Sequence, residues 1–160
     1  MKRIMKQLGK LSLIITMCIS FLGFNIKPPT KNLQKRILMI GIAYQQKKCG
    51  SSSFSDAVGY KPVPSCYGGT YSTIENEIKA DLSKWYNVNK SDVTIKASDK
   101  AFGAVISYYK EISGWNCSVK RFAVGFGDTQ QEAYDAAERN KNNDAKTPSY
   151  KVEKTFYCNN

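Results

Sequence analysis

The chain has 160 residues, with 24 Lys and Arg, 13 Asp and Glu, no His and a formal net charge of +11. Apolar residues at 42% and charged residues at 23% are globular values, which excludes a wholly disordered, collagen-like or low-complexity chain. The missing His removes the commonest general base and the commonest metal ligand.

Met1 to Lys10 holds Lys2, Arg3, Lys6 and Lys10 and no acid, and Leu11 to Phe24 then runs without a charge. A basic segment followed by an apolar run of this length has the pattern of a secretory signal peptide. Residues 1–24 are therefore expected to direct export to the periplasm or beyond. Cys18 and Ser20 are the best small residues for a cut before Phe21. The alternative is an uncleaved anchor over residues 11–26, although that stretch is short of the ~20 residues that cross a bilayer untilted. Acylation at Cys18 is disfavoured because Met17 stands where a small residue is required. Residues 25–36 are expected to form a basic linker in which Pro28 and Pro29 stop any helix. Its cations Lys27, Lys31, Lys35 and Arg36 count against translocation and balance those before the apolar run.

A single domain is expected over 37–160. Ile37 to Tyr44 is short, apolar and flanked by polar residues, which predicts a buried strand. Gln45 to Ser72 is rich in Gly, Ser and Pro and predicts a long loop, acceptable if cross-linked or functional. Ser72 and Glu75 have capping-box spacing, and Ile74, Ile78, Leu82 and Trp85 then mark one face of a helix ending near Asn87 and Asn89. Three strands are expected at Asp92 to Ala97, Phe102 to Lys110 and Cys117 to Phe126, with Ser113 and Gly114 in a turn. The third presents Phe122, Val124 and Phe126 on one face. Thr129 and Glu132 form a second capping box, and Ala133, Ala136 and Ala137 give that helix a small-residue face. Ser149 to Cys158 alternates, with Tyr150, Val152, Phe156 and Cys158 on one side. No internal repeat is evident. The expected class is α+β: an antiparallel sheet of four to five strands with two helices on one face.

Of the five cysteines, Cys18 lies in the signal-like segment. Cys49, Cys66, Cys117 and Cys158 remain, an even number in a short, exported-looking chain, which predicts two disulfides. The expected pairing is Cys49–Cys66, closing the Gly/Ser/Pro loop, with Cys117–Cys158 tying the last strand to a central one. No C-x-x-C pair or His supports zinc or redox chemistry, so no metal and no cofactor are expected.

Residues 125–137, GFGDTQQEAYDAA, resemble the C-terminal stretch of double-stranded-RNA-binding domains. Gly125, Gly127, Thr129, Ala133, Ala136 and Ala137 occupy that family's structural positions, and the preceding order of helix and three strands fits across 72–141. The resemblance implies an RNA-binding module. The lysines with which the family grips phosphates are replaced here by Gln130 and Gln131, after Asp128. Those groups cannot supply the counterion-release term that dominates such affinity, so nucleic acid is not an expected partner.

No nucleophile elbow, phosphate loop or carboxylate pair stands out. Tyr60, Tyr67, Tyr71 and Trp115 are the candidate binding surface, with Tyr108 and Tyr109 as further aromatics. The expectation is a small exported, non-enzymatic binding protein whose partner is another protein or an envelope polymer. A secreted hydrolase or toxin is the rival. Residues 1–48 hold ten basic and no acidic residues, leaving 14 basic against 13 acidic from Cys49 onward. The excess charge thus lies in the segment expected to touch the membrane surface transiently, residues 1–36 and just beyond.

Overall fold

A computed structural model describes residues 36–66 and 69–158. The expected signal or anchor segment, most of the linker, Cys18 and Tyr67 lie outside the described residues. All described residues fall in one compact unit, Gln34–Asn160.

The elements run β1 (Ile37–Cys49), β2 (Ser52–Ser65), α1 (Tyr71–Tyr86), β3 (Val93–Ser98), β4 (Phe102–Glu111), β5 (Ser118–Gly127), α2 (Gln130–Asp144) and β6 (Lys151–Tyr157). A 3-10 turn at Lys90–Asp92 leads into β3. The α+β class holds, but the strands form two sheets of three rather than one. Both are antiparallel, in the orders β2-β1-β3 and β5-β4-β6.

The packing follows from strand alternation. Leu38, Ile40 and Ile42 of β1 meet Val105, Phe122, Val124 and Phe156 in a core between the sheets. Met39 and Ala43, on the other face of β1, pack with Ile74, Ile78 and Leu82 of α1. Ala104, Ile106 and Tyr108 of β4 pack with Ala133 and Ala137 of α2. The layers therefore run helix, sheet, sheet, helix, with a helix on each outer face. Leu38 to Ala43 of β1 is continuously apolar because both faces of that stretch are buried.

Each sheet with its helix is a β-β-α-β unit with the first strand in the middle, so the chain contains an internal structural repeat. It is faintly audible in the sequence as Ala57-Val58-Gly59-Tyr60 on β2 and Ala123-Val124-Gly125-Phe126 on β5. In both places the glycine faces the unit's own helix, toward Tyr86 in one and Ala133 in the other. The following aromatic packs on the inter-sheet core. The α-β-β-β-α order that resembles an RNA-binding domain is split between the units, since β3 pairs with β1 and not with β4.

The expected loop over 45–72 is largely β2, an edge strand on which Pro62 and Pro64 stand opposite Ile40 and Leu38. Residues spaced by two point their amide sides the same way. On an edge strand that side needs no ladder donor, so the prolines fit. Helix α1 is capped by Thr70, whose hydroxyl accepts from the Thr73 amide at 3.3 Å, and not by Ser72. Glu75 instead pairs with Lys79 at 2.7 Å. Ile74, Ile78 and Leu82 are buried, and Asn87 ends the helix in the left-handed conformation at φ 51°. Trp85 departs from the expected face. Tyr86 continues the inward row, and Trp85 is exposed beside the Lys61 ammonium, 5.6 Å from its ring. The Thr129–Glu132 capping box is formed in full. In β6 a bulge turns Glu153 inward to accept from the Ser107 hydroxyl at 2.6 Å, which leaves Val152 and Tyr150 exposed instead of sharing a buried face with Phe156.

All four expected cysteines are bridged, but as Cys49–Cys117 and Cys66–Cys158. The expected pairing fails on strand length. Cys49 sits at the β1–β2 turn and Cys66 follows the open end of that hairpin, roughly 40 Å away at about 3.3 Å per residue. Cys117 and Cys158 are likewise at opposite ends of β4, roughly 30 Å apart at that rise. The actual bridges join one sheet to the other, one at each end. Such structural disulfides belong to oxidising, extracellular-type compartments. Among the described residues, no helix is long and apolar enough to cross a membrane.

Candidate functional site

The three described candidate aromatics, Tyr60, Tyr71 and Trp115, do not form one surface. Tyr60 is half-buried, edge-on to Phe122 with ring centroids 5.0 Å apart. Tyr71 is exposed near Ile37, at the start of β1. Trp115 lies over Gly50 beside the Cys49–Cys117 bridge, at the far end of the same strand. Tyr71 and Trp115 are thus roughly 40 Å apart by strand length. Tyr109 is exposed, while Tyr108 turns inward toward α2.

Tyr108 leads instead to a cleft of 590 Å³ along β5, the outer strand of its sheet. Its polar lining is Tyr44 from β1, Lys96 from β3, Tyr108 from β4, Arg121 from β5, and Asn140 and Asp144 from the last turns of α2. Ile42, Phe122 and Phe126 supply an apolar wall. A volume of this size suits a small ligand or a short segment of chain.

Asp144 is the acidic residue of this lining and is already engaged. It accepts from the Tyr108 hydroxyl at 2.7 Å and from the Lys110 ammonium at 2.6 Å. Burial pushes its carboxyl up, but those hydrogen bonds outweigh burial and hold it below the ordinary carboxylate range. Burial raises the Tyr108 phenol far above its usual value, and donation to Asp144 raises it further. Tyr108 is therefore a neutral donor at any physiological pH.

Arg121 is the contrasting group. Its guanidinium carbon lies 6.0 Å from the Tyr44 ring centre, a cation–π distance. Its Nε is buried without a hydrogen-bond partner, and no carboxylate lies within ion-pair distance of it among the described residues. Burial raises the Tyr44 phenol, and the Arg121 charge opposes that rise. Lys96 adds a second, exposed cation at the cleft rim.

The main chain of β5 is partly capped here. The Lys120 amide donates to Asp56 at 2.6 Å, and the Val124 carbonyl accepts from the Asn140 side chain at 2.8 Å. A buried arginine stem, a tyrosine platform and a strand edge come from positions 44, 96, 121 and 144. No local motif could have announced them. The sequence signal that comes nearest is Lys120-Arg121 interrupting an otherwise apolar strand. Among the described residues, no group of three or more acidic, Cys or His side chains is placed to hold a metal.

No family model, curated protein or solved structure matches this chain.

Proposed function

We propose that the protein is an exported, disulfide-stapled, non-enzymatic binding module whose ligand seats in the β5 cleft. The observation that carries the reading is Arg121, a partly buried cation at cation–π distance from Tyr44 that has no carboxylate within ion-pair distance among the described residues and shares the field of Asp144 with Lys110. Leaving a buried polar group unsatisfied costs about 1–3 kcal/mol, and more for a charged one, a cost that a ligand recovers on binding. Asp144 is the acidic group of the lining, and it is committed to Lys110 and Tyr108. That arrangement favours recognition over acid–base turnover. The two inter-sheet bridges support passage through an oxidising compartment, and residues 1–24 supply the export pattern.

Two measurements test this. Intact mass of the protein from its native compartment, with and without thiol alkylation, should show a shortened chain with no alkylatable thiol. A full-length chain with free thiols would overturn export. Titration of the ¹⁵N-labelled protein with an envelope hydrolysate should shift amides on β3, β5 and the end of α2. Shifts confined to the Tyr71 or Trp115 ends, or chemical conversion of the added material, would overturn the binding reading.

A further inference from the structure

Resting on that reading of the cleft, we propose that its ligand is a carboxylate carried by a peptide in extended conformation. Asp144 is hydrogen-bonded to Lys110 and Tyr108 and acts on Arg121 only at longer range, so the cations Lys110, Arg121 and Lys96 outnumber the one acid at the lining. That excess of positive charge selects an anion. The planar guanidinium fork matches a carboxylate or phosphate through two parallel hydrogen bonds. The Tyr44 ring centre lies 6.0 Å from the guanidinium carbon, at cation–π distance, and so helps to position the fork.

The strand edge then separates the two anions. In an antiparallel strand, the N–H and C=O of alternate residues point to the same side. The Lys120 amide and the Val124 carbonyl are capped by side chains beyond the open edge of β5. Phe122 stands midway between them, so its N–H and C=O also point to that edge, where Phe122 lines the cleft. A donor and an acceptor at peptide spacing sit next in sequence to the Arg121 fork. A phosphate offers mainly acceptors and leaves the Phe122 carbonyl unanswered. One residue of an extended peptide answers both groups, places its carboxylate on Arg121 and lays an apolar side chain against Phe126 and Ile42. The Asp56 and Asn140 caps limit this pairing to about one residue, so the module takes a chain end or an acidic side chain rather than adding a full strand.

The test uses the full, disulfide-bonded, ¹⁵N-labelled chain and three probes: acetyl-alanyl-phenylalanine as the free acid, the same dipeptide as its C-terminal amide, and inorganic phosphate. The acid is expected to give saturable shifts at the Phe122 and Ala123 amides and at the Arg121 Nε–H. The amide should bind at least about tenfold more weakly, the scale of a charge-assisted hydrogen bond. Arg121→Gln should lower affinity for the acid by a similar factor and leave that for the amide unchanged. Lys96→Gln, at an exposed position, should weaken the acid by a smaller factor and serves if the Arg121 variant fails to fold. Equal binding of acid and amide would overturn the carboxylate. Phosphate binding as tightly as the acid and displacing it would overturn the peptide. No cleft shift with any probe would overturn the proposal as a whole, while the hydrolysate titration judges the wider reading separately.

Discussion

Replacing Gly125 by Ala tests the seating of α2 on β5, where main chain meets main chain. A Cβ there would lie 2.1 Å from the Ala133 carbonyl oxygen, 2.2 Å from the Ala137 amide nitrogen and 2.8 Å from the Ala136 carbonyl carbon. All three are main-chain atoms of α2, so no rotamer change can yield. Ordinary carbon contacts sit near 3.5–4.0 Å, so the helix must retreat by more than ~1 Å. Gaps of that size forfeit up to about half of each dispersion contact. Ala133 and Ala137, both fully buried, lie in the layer that would open. Overpacking of this kind costs about 1–3 kcal/mol, and the backbone partners place G125A at the top of that range. At roughly 4 °C per kcal/mol for a domain of this size, Tm should fall by about 12 °C. Gly114→Ala is the comparison. Nothing lies within 4 Å of its Cβ, and it carries only the strain of φ +80°. That strain is worth about 1–2 kcal/mol. Urea denaturation of the oxidised proteins measures both. G125A within about 0.5 kcal/mol of wild type would refute the direct seating of α2 on β5.

Peptide mapping without reduction should recover Cys49 linked to Cys117 and Cys66 linked to Cys158. Replacing either pair by Ser should cost about 2–5 kcal/mol in denaturant melts, and a recovered Cys49–Cys66 peptide would contradict the two-sheet arrangement. Thr70→Ala should destabilise by about 1 kcal/mol in the same assay, whereas Ser72→Ala should change little, because Thr70 holds the cap. Asp144 is held below the ordinary carboxylate range when folded, so its stabilisation is complete above that range and is lost as pH falls through its folded value. Asp144→Asn should therefore be less stable at pH 7 and lose less stability on acidification to pH 3 than wild type, measured by thermal melts across pH; equal acid slopes would contradict its pairing with Lys110 and Tyr108.

The elements whose evidence is local were legible in the sequence. The row Ile74, Ile78, Leu82 and the Thr129–Glu132 box need only one helical turn of context, and both are present as expected. β2 was not legible, because prolines and glycines oppose a strand unless it lies at an edge, and edge position is a property of the sheet. Cysteine parity identified four bonded residues, but their partners depend on which strand ends meet. The repeat hides because its two copies share only an Ala-Val-Gly-aromatic stretch and a topology. The cleft was least legible. Arg121 is ordinary as a strand residue, and becomes distinctive only when Tyr44 lies against it and Asp144 is already paired elsewhere.

The crossed bridges also set an order on assembly. Each joins the first β-β-α-β unit to the second, so neither can close until the second unit has begun to emerge. Cys49 and Cys66 appear first and lie far closer along the chain than either true pair, with sequence separations of 68 and 92 for the native bonds. An oxidant acting on the growing chain therefore meets a wrong pair before a right one. A chain arranged this way depends on slow oxidation or on a disulfide isomerase, and production in a compartment lacking either should yield Cys49–Cys66 species that the β1–β2 ladder cannot accept.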